Sequence, residues 1–137
     1  MTPWSLAKLY GLTAAVFFAI DLVWLGAVAR GFYRDALGHL LRENAQWAAA
    51  LAFYTLYIAG ILVFVVLPSV QADSLARAVG LGAFFGLVAY ATFDLTSLAL
   101  IRDFPVRVVV VDLAWGSVLT ASVSAAGYGL ARWLGVG

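Results

Sequence analysis

The stretch LYGLTAAVFFAIDLVWLGAVA, residues 9–29, decides the fold class of this chain. It carries a single charged side chain, Asp21, in a run as long as the roughly 20 apolar residues that a helix needs to cross a bilayer. The stretch therefore predicts a membrane-spanning helix. It also raises a question, because Asp21 lies near the middle of the run, where an ionised carboxylate is costly.

Composition extends this prediction to the whole chain. Of its 137 residues, 65% are hydrophobic and 11% are charged, whereas soluble domains are about half apolar and about a quarter charged. A chain of this size has no core that could bury so much apolar surface, so a bilayer is the expected solvent. A net charge of +1 without a basic stripe excludes nucleic acid as a partner, and the lack of cysteine excludes disulfides and thiolate chemistry.

The apolar runs predict an all-α, polytopic membrane protein with one domain, residues 1–137, and four transmembrane helices in a bundle. The predicted spans cover approximately residues 3–30, 47–67, 74–102 and 106–134. Thr2 and Pro3 suit the N-cap and first turn of the first span, and Pro68 is expected to end the second. Apolar residues recur at helical spacing between charges over residues 31–46, which predicts an amphipathic connection along the interface.

The ends of the first and third spans resemble each other. The first ends DLVWLGAVARGF, residues 21–32, and the third ends DLTSLALIRDF, residues 94–104. Both read Asp-Leu-x-x-Leu and then Arg-x-Phe. Two related helical hairpins would explain the similarity, and chance in so biased a composition would explain it equally well.

Small residues recur every four positions on the same two spans. Gly11, Ala15 and Ala19 follow this pattern on the first span, and Gly82 and Gly86 follow it on the third. Such faces let helices approach closely. The pattern fits packing within one chain, and it leaves a homo-oligomer open.

Three aspartates interrupt the apolar spans. We call side B the end of the bundle that carries residues 31–46 and the turn 102–107, and side A the opposite end. Asp21, Asp94 and Asp112 all lie in the side B half of their spans. At a rise of 1.5 Å per residue, each is roughly 8–14 Å along the helix from the arginine at the side B end of its span. Since facing lipid would be costly for each, we expect them to share a polar cavity reached from side B. They are the candidate catalytic residues.

Residues at helical spacing from the acids are predicted to line that cavity. Trp24 follows Asp21 by three residues and Trp115 follows Asp112 by three, so each indole shares a face with a carboxyl group. The further predicted cavity residues are Tyr54, Tyr57, Tyr90 and Ser97. The arginines at the side B ends, which either counter the acids or snorkel to the interface, are Arg30, Arg102 and Arg107.

His39, the only histidine, lies in the side B connection. Carboxylates with one imidazole suit a hard divalent metal, but a lone loop histidine is more often an interfacial residue. The sequence therefore predicts neither a metal site nor a cofactor, and it leaves open whether His39 is a ligand.

Two functional classes fit this pattern. The preferred interpretation is a small proton- or cation-linked transport protein, which would form a homo-oligomer because four spans rarely enclose a complete transport path. The alternative is a membrane-embedded enzyme in which one aspartate is the general acid and another the general base toward a lipid or isoprenoid. A structural or accessory role is a third interpretation, and membrane lipids are the expected partners in each.

The two main classes make different demands on side A. A transport site needs a polar route to both ends, and the side A halves of the helices offer few polar groups: Tyr10, Thr13, Thr120, Ser122, Ser124 and Tyr128. An enzyme needs only a pocket open to lipid or to side B. A sealed side A and a lipid-facing groove beside Asp94 would therefore favour the enzyme.

Two long motifs resemble a known family. The stretches DLVWLGAVARGFYRDALGHLL, residues 21–41, and YATFDLTSLALIRDFPVRVVVVDLAWGSVLT, residues 90–120, are similar to the small predicted bacterial membrane proteins labelled domain of unknown function 2177. The resemblance runs from about Lys8 to Tyr128 and implies a four-span, multi-pass protein of the inner membrane. It brings no established activity, so it assigns no role to the residues that carry the match: Asp21, Trp24, Asp94, Asp112 and Trp115.

Overall fold

The computed structural model describes residues 2–42 and 44–136, and this part of the chain is helical without a strand. The helices are α1, Pro3–Val28; α2, Arg30–Leu37; α3, Trp47–Gln71; α4, Leu75–Leu100; and α5, Val106–Trp133. All except the short α2 are long and apolar enough to cross a membrane. The predicted all-α fold with four candidate transmembrane helices is confirmed, and the chain is a multi-pass membrane protein.

Two of the predicted helix starts are fixed by side-chain caps. The Thr2 hydroxyl accepts a hydrogen bond from the Ser5 backbone N–H at 3.0 Å, and Pro3 occupies the first turn of α1. Ser74 caps α4 in the same way, accepting from the Arg77 N–H at 3.0 Å. These caps satisfy backbone donors that a helix leaves free at its N-terminus.

Pro68 does not end the second span, as the sequence predicted; α3 continues to Gln71. A wide π-helical turn, Leu62–Val66, directly precedes the proline. Such a turn bonds five residues apart, and Pro68 then sits in the first turn of the next α-helical segment, where its missing N–H costs little. The Ser69 hydroxyl donates to the Val65 carbonyl at 2.6 Å, which satisfies one acceptor beside the irregular turn.

The first span ends at Val28, two residues before the predicted Arg30. Its last turn, Trp24–Val28, is also π-helical, and the Ala29 N–H donates to the Trp24 carbonyl at 2.7 Å. Ala29 then leaves helical geometry, and α2 begins at Arg30. The predicted connection is thus a short helix followed by an irregular segment.

Helix α5 contacts each of the other four helices and packs most extensively on α4. Glycines allow the close approach of this pair. A Cβ on Gly82 would lie 2.6 Å from the Ser124 hydroxyl, and a Cβ on Gly86 would collide with the Gly116 carbonyl. The ring of Tyr90 in turn covers Gly116.

The two small-residue patterns differ in whether they are buried against another helix of the chain. Gly82 and Gly86 are buried against α5, whereas Gly11, Ala15 and Ala19 are exposed on α1. The predicted close packing within the chain therefore occurs on α4. Whether α1 meets a second copy stays a prediction.

A packed and mostly apolar core, which also buries the hydroxyl side chains of Thr13, Ser69, Thr120 and Ser124, fills the interior on the side A half of the bundle. Its buried members include Leu9, Phe17, Ile61, Val66, Leu119, Val123 and Ala131. A smaller cluster at side B packs Ala36 of α2 against Phe104, Val108 and Val109 around the start of α5. These contacts hold α2 across the side B end of the bundle.

The α4–α5 contact yields a prediction about stability. Gly86→Ala should destabilise the folded state by about 1–3 kcal/mol, because the added methyl group collides with backbone that cannot move aside alone. Gly80→Ala is the matched control, since its Cβ would meet open space and alanine favours helices. Thermal unfolding in detergent, followed by circular dichroism, measures both. Equal loss of stability in the two variants would contradict the assigned contact.

Candidate functional site

Two adjoining cavities bring the three aspartates together in the side B half. The larger, about 320 Å³, is lined by Phe53, Tyr54, Ala89, Tyr90, Phe93, Asp94 and Asp112. The smaller, about 200 Å³, is lined by Asp21, Trp24, Leu25, Tyr33, Tyr54, Tyr90, Asp112 and Trp115. Tyr54, Tyr90 and Asp112 line both cavities, so we treat the two cavities as one site that is divided by these three side chains.

A stacked pair of indoles joins α1 to α5 beside the smaller cavity. The Trp24 and Trp115 rings lie 4.3 Å apart between centroids and only 9° from parallel. Trp115 Nε1 donates to Asp21 Oδ1 at 3.2 Å, across the two helices. Trp24 Nε1 donates to the Tyr33 hydroxyl at 3.3 Å. Trp24 opens the π-helical turn of α1, a feature that is frequent at functional sites.

Tyr33 links the connection to the acids. It lies on α2, outside the four long helices, and its hydroxyl donates a hydrogen bond to Asp112 Oδ1. Burial, followed by the hydrogen bond to Asp112, raises the pKa of the Tyr33 hydroxyl above its ordinary value. Tyr33 therefore remains a proton donor to Asp112 throughout the neutral range.

Asp94 has the most enclosed of the three carboxyl groups. Its side chain is 1% exposed, and neither oxygen has a hydrogen-bond partner among residues 2–42 and 44–136. Asp21 and Asp112, by contrast, each accept from an aromatic side chain. The Asp112 carboxyl group is the polar neighbour that faces Asp94 in the larger cavity.

The larger cavity reaches the outer surface of the helices between α3 and α4. Phe53 and Phe93 form its rim, and their side chains are 49% and 58% exposed. Helices α3 and α4 contact each other mainly beyond this point, at Leu62–Val66 and the turns that follow. The opening therefore faces the apolar surroundings of the bundle.

Comparison with known proteins identifies the family. The model of a family described as "Predicted membrane protein (DUF2177)" matches residues 6–129. The chain belongs to the DUF2177 family. No curated protein and no solved structure matches it.

Most of the predicted site residues of this DUF2177 protein line the two cavities. They are Asp21, Trp24, Tyr54, Tyr90, Asp94, Asp112 and Trp115. Tyr57 is buried, but its hydroxyl hydrogen bonds with Thr120 at 2.7 Å, toward the apolar core. Ser97 is buried on α4 and is not among the lining residues. Its role in the cavity stays a prediction.

The three predicted arginines lie outside the cavity, at the side B ends of the helices. Arg30, Arg102 and Arg107 are exposed and do not belong to the described lining of either cavity. Their long side chains can reach the interface at the helix ends, which agrees with the snorkelling alternative. The cavity of the DUF2177 protein is thus lined by acids and aromatic rings.

Some lining residues were not predicted. They include Tyr33, Phe53, Ala89 and Phe93, none of which is charged. The last three each directly precede a predicted site residue in the sequence. Tyr33 had the clearest signal, because it lies on the same short helix as the apolar residues Phe32 and Ala36. Its contact with Asp112 joins residues 79 positions apart, which no local pattern encodes.

The cavity residues and His39 are the side chains that bear on metal binding. Over the residues that the structure describes, no group of three or more His, Asp or Glu side chains is arranged to hold an ion. His39 is exposed on the connection and lies outside the described lining of both cavities. The carboxyl and phenol groups of the described lining can supply hydrogen bonds, negative charge and proton transfer.

The Tyr33 hydroxyl yields a second prediction. Tyr33→Phe in the DUF2177 protein should cost about 1.5–3 kcal/mol, since it removes a hydrogen bond to a carboxylate. Because the folded state holds this proton more tightly, the stabilisation is complete below the ordinary pKa of 10.0 and declines as the pH rises above it. Thermal unfolding between pH 8 and about pH 11 should show the difference between wild type and variant becoming smaller. Ser117→Ala, which removes a hydroxyl donor to the Leu113 carbonyl that does not ionise in this range, is the control, and its difference from wild type should not change with pH.

Proposed function

We propose that this protein is a membrane-embedded enzyme that performs acid–base chemistry on a lipid- or isoprenoid-class substrate entering sideways between α3 and α4. The observation that carries the proposal is the larger cavity, which joins the half-exposed rim of Phe53 and Phe93 to the buried pair Asp94 and Asp112. Its volume, about 320 Å³, suits part of a small ligand. A chain-like molecule would place its reacting group inside and leave its tail in the bilayer.

The side A half argues for an enzyme over the transport protein that the sequence favoured. Beyond the cavity, α5 enters the packed core around Leu119 and Val123. At its border the hydroxyls of Tyr57 and Thr120 bond to each other. The hydroxyl side chains of Thr13, Thr120 and Ser124 are buried in this layer, but none of its described buried residues is charged. A proton- or cation-linked path would need charged or titratable groups through the layer, whereas an enzyme needs only the lateral opening.

The carboxyl groups have distinct surroundings, as acid–base chemistry requires. Asp112 is held by Tyr33, and Asp94 is free of donors in the described chain. In the proposed reaction one of this pair gives a proton to the substrate and the other accepts one. Asp21, held by Trp115, is a positioning residue that fixes the indole wall of the cavity.

We further propose an inner-membrane location with side B in the cytoplasm. Of the eight Lys and Arg residues, five lie on side B: Arg30, Arg34, Arg42, Arg102 and Arg107. The excess of positive charge marks the cytoplasmic side. In this orientation the three aspartates lie in the cytoplasmic half of the bilayer.

The first test measures what the cavity holds. Native mass spectrometry after purification in mild detergent should detect a lipid-class molecule bound to the wild type. Ala89→Phe should lower its occupancy about tenfold or more, equivalent to about 1.4 kcal/mol, because the ring fills the cavity. Ala99→Phe, an exposed position on the same helix and outside the described lining, is the matched control.

A second measurement tests the chemistry. Membrane lipids incubated in deuterated water with the wild type should yield a product of altered mass or deuterium content. Asp94→Asn should slow its formation by about 10²–10⁴-fold, the usual contribution of a general acid or base. Asp35→Asn, an exposed carboxyl on α2, should not. An empty cavity with proton or cation flux that depends on Asp94 in liposomes would overturn the proposal in favour of transport.

A further inference from the structure

We propose that the cavity recognises a positively charged nitrogen, and that its ligand is a single-chain amphiphile bearing an amine or quaternary ammonium group. This inference rests on the proposed function, because it names the substrate class for the same lateral cavity.

The first argument is charge. The described lining of the two adjoining cavities contains three carboxyl groups and no Lys, Arg or His. The arginines of the side B ends are exposed elsewhere. A phosphate, diphosphate or carboxylate head would meet like charge here without a countercharge, at a cost that the low dielectric of the site increases. A cation would meet attraction from every ionised carboxyl group of the lining.

The second argument is the unsatisfied carboxyl group of Asp94. It is almost fully buried and lines the larger cavity, its neighbouring polar group is the Asp112 carboxyl, and no N–H or hydroxyl donor of the described residues reaches either oxygen. A buried acceptor without a donor is costly, and an ionised one more so. A protonated amine supplies both N–H donors and the opposite charge at this position, and a quaternary ammonium group supplies the opposite charge. Asp21 and Asp112 already have donors, which singles out Asp94 as the contact.

The third argument is the aromatic wall. Tyr54, Tyr90, Phe53 and Phe93 surround the same space. Aromatic faces attract cations, and cages of such rings bind quaternary ammonium groups. An inorganic divalent cation would need six to eight oxygen ligands for calcium, or about six for magnesium, and a lining of mostly aromatic carbon does not provide them. The apolar rim also suits the methylene chain of an amphiphile.

The probes are four twelve-carbon amphiphiles that differ only in the head: dodecylamine, dodecyltrimethylammonium, dodecanol and dodecanoate. Each is titrated at pH 7 into the full chain in uncharged dodecyl maltoside micelles. Binding is read as the rise in the thermal unfolding midpoint and as adducts in native mass spectrometry. The two cations should bind at least about tenfold more tightly than dodecanol, and dodecanoate should bind most weakly.

Variants assign the effect to the cavity. Asp94→Asn should reduce the preference for the cations severalfold and leave dodecanol binding unchanged, while Asp35→Asn should preserve the full preference. Ala89→Phe should weaken all four probes. The isosteric amide keeps the shape of Asp94, and the retained dodecanol binding shows that the variant is folded.

The failure of this inference can be told from that of the proposed function. Dodecanol or dodecanoate binding as tightly as the cations, with no effect of Asp94→Asn, would overturn the cation inference and keep the lateral cavity. If cation binding stayed at the wild-type level in both Asp94→Asn and Ala89→Phe, the inference would be overturned, because the cations would then be adsorbing to the micelle surface. If no probe bound and Ala89→Phe changed nothing, both proposals would fall. Stabilisation by sodium chloride alone, dependent on Asp94, would replace the amine with a small cation.

Discussion

The close approach of α4 and α5 is the contact on which the site depends. Because Gly82, Gly86 and Gly116 have no side chains, the two backbones meet where a single methyl group would separate them. This places Tyr90 over Gly116, and it brings Asp94 of α4 into the same cavity as Asp112 of α5. In a bilayer, where the hydrophobic effect does not drive helices together, such close packing is a main source of association. The same contact therefore stabilises the fold and assembles the acids.

A second set of interactions attaches α1 and α2 to α5. The stacked Trp24 and Trp115 join α1 to α5, and each indole uses its N–H for the polar side of the cavity. Tyr33 carries this network to α2, which apolar contacts around Ala36 hold in place. The aromatic rings thus do two things at once. They bury apolar area, and their polar atoms satisfy carboxyl groups that would otherwise be costly inside the bundle.

The sequence predicted those features that depend on local chemistry. Thr2 caps α1 because its hydroxyl lies within reach of the N–H group three residues away. The inward grouping of Asp21, Asp94 and Asp112 followed from the cost of facing lipid. Pro68 was misjudged, since the wide turn before it depends on packing that no local pattern reports. Tyr33 and the lateral rim were not foreseen, because both arise from contacts between distant elements.

The chain connections explain why the cavity opens between α3 and α4. At side A these helices are joined by residues 72–74 alone, so their ends must lie close together. At side B the chain connects the start of α3 to α2 through residues 38–46, whereas α4 runs straight into the short turn that leads to α5. Helix α3 contacts α4 at Leu62–Val66, at Leu67–Gln71 and through the ring of Tyr57, which stacks on Phe85; nearer Trp47 the contacts between the two helices become few. The unequal connections at the two ends therefore let α3 and α4 separate on side B, and Asp94 and Asp112 line the cavity that this separation leaves.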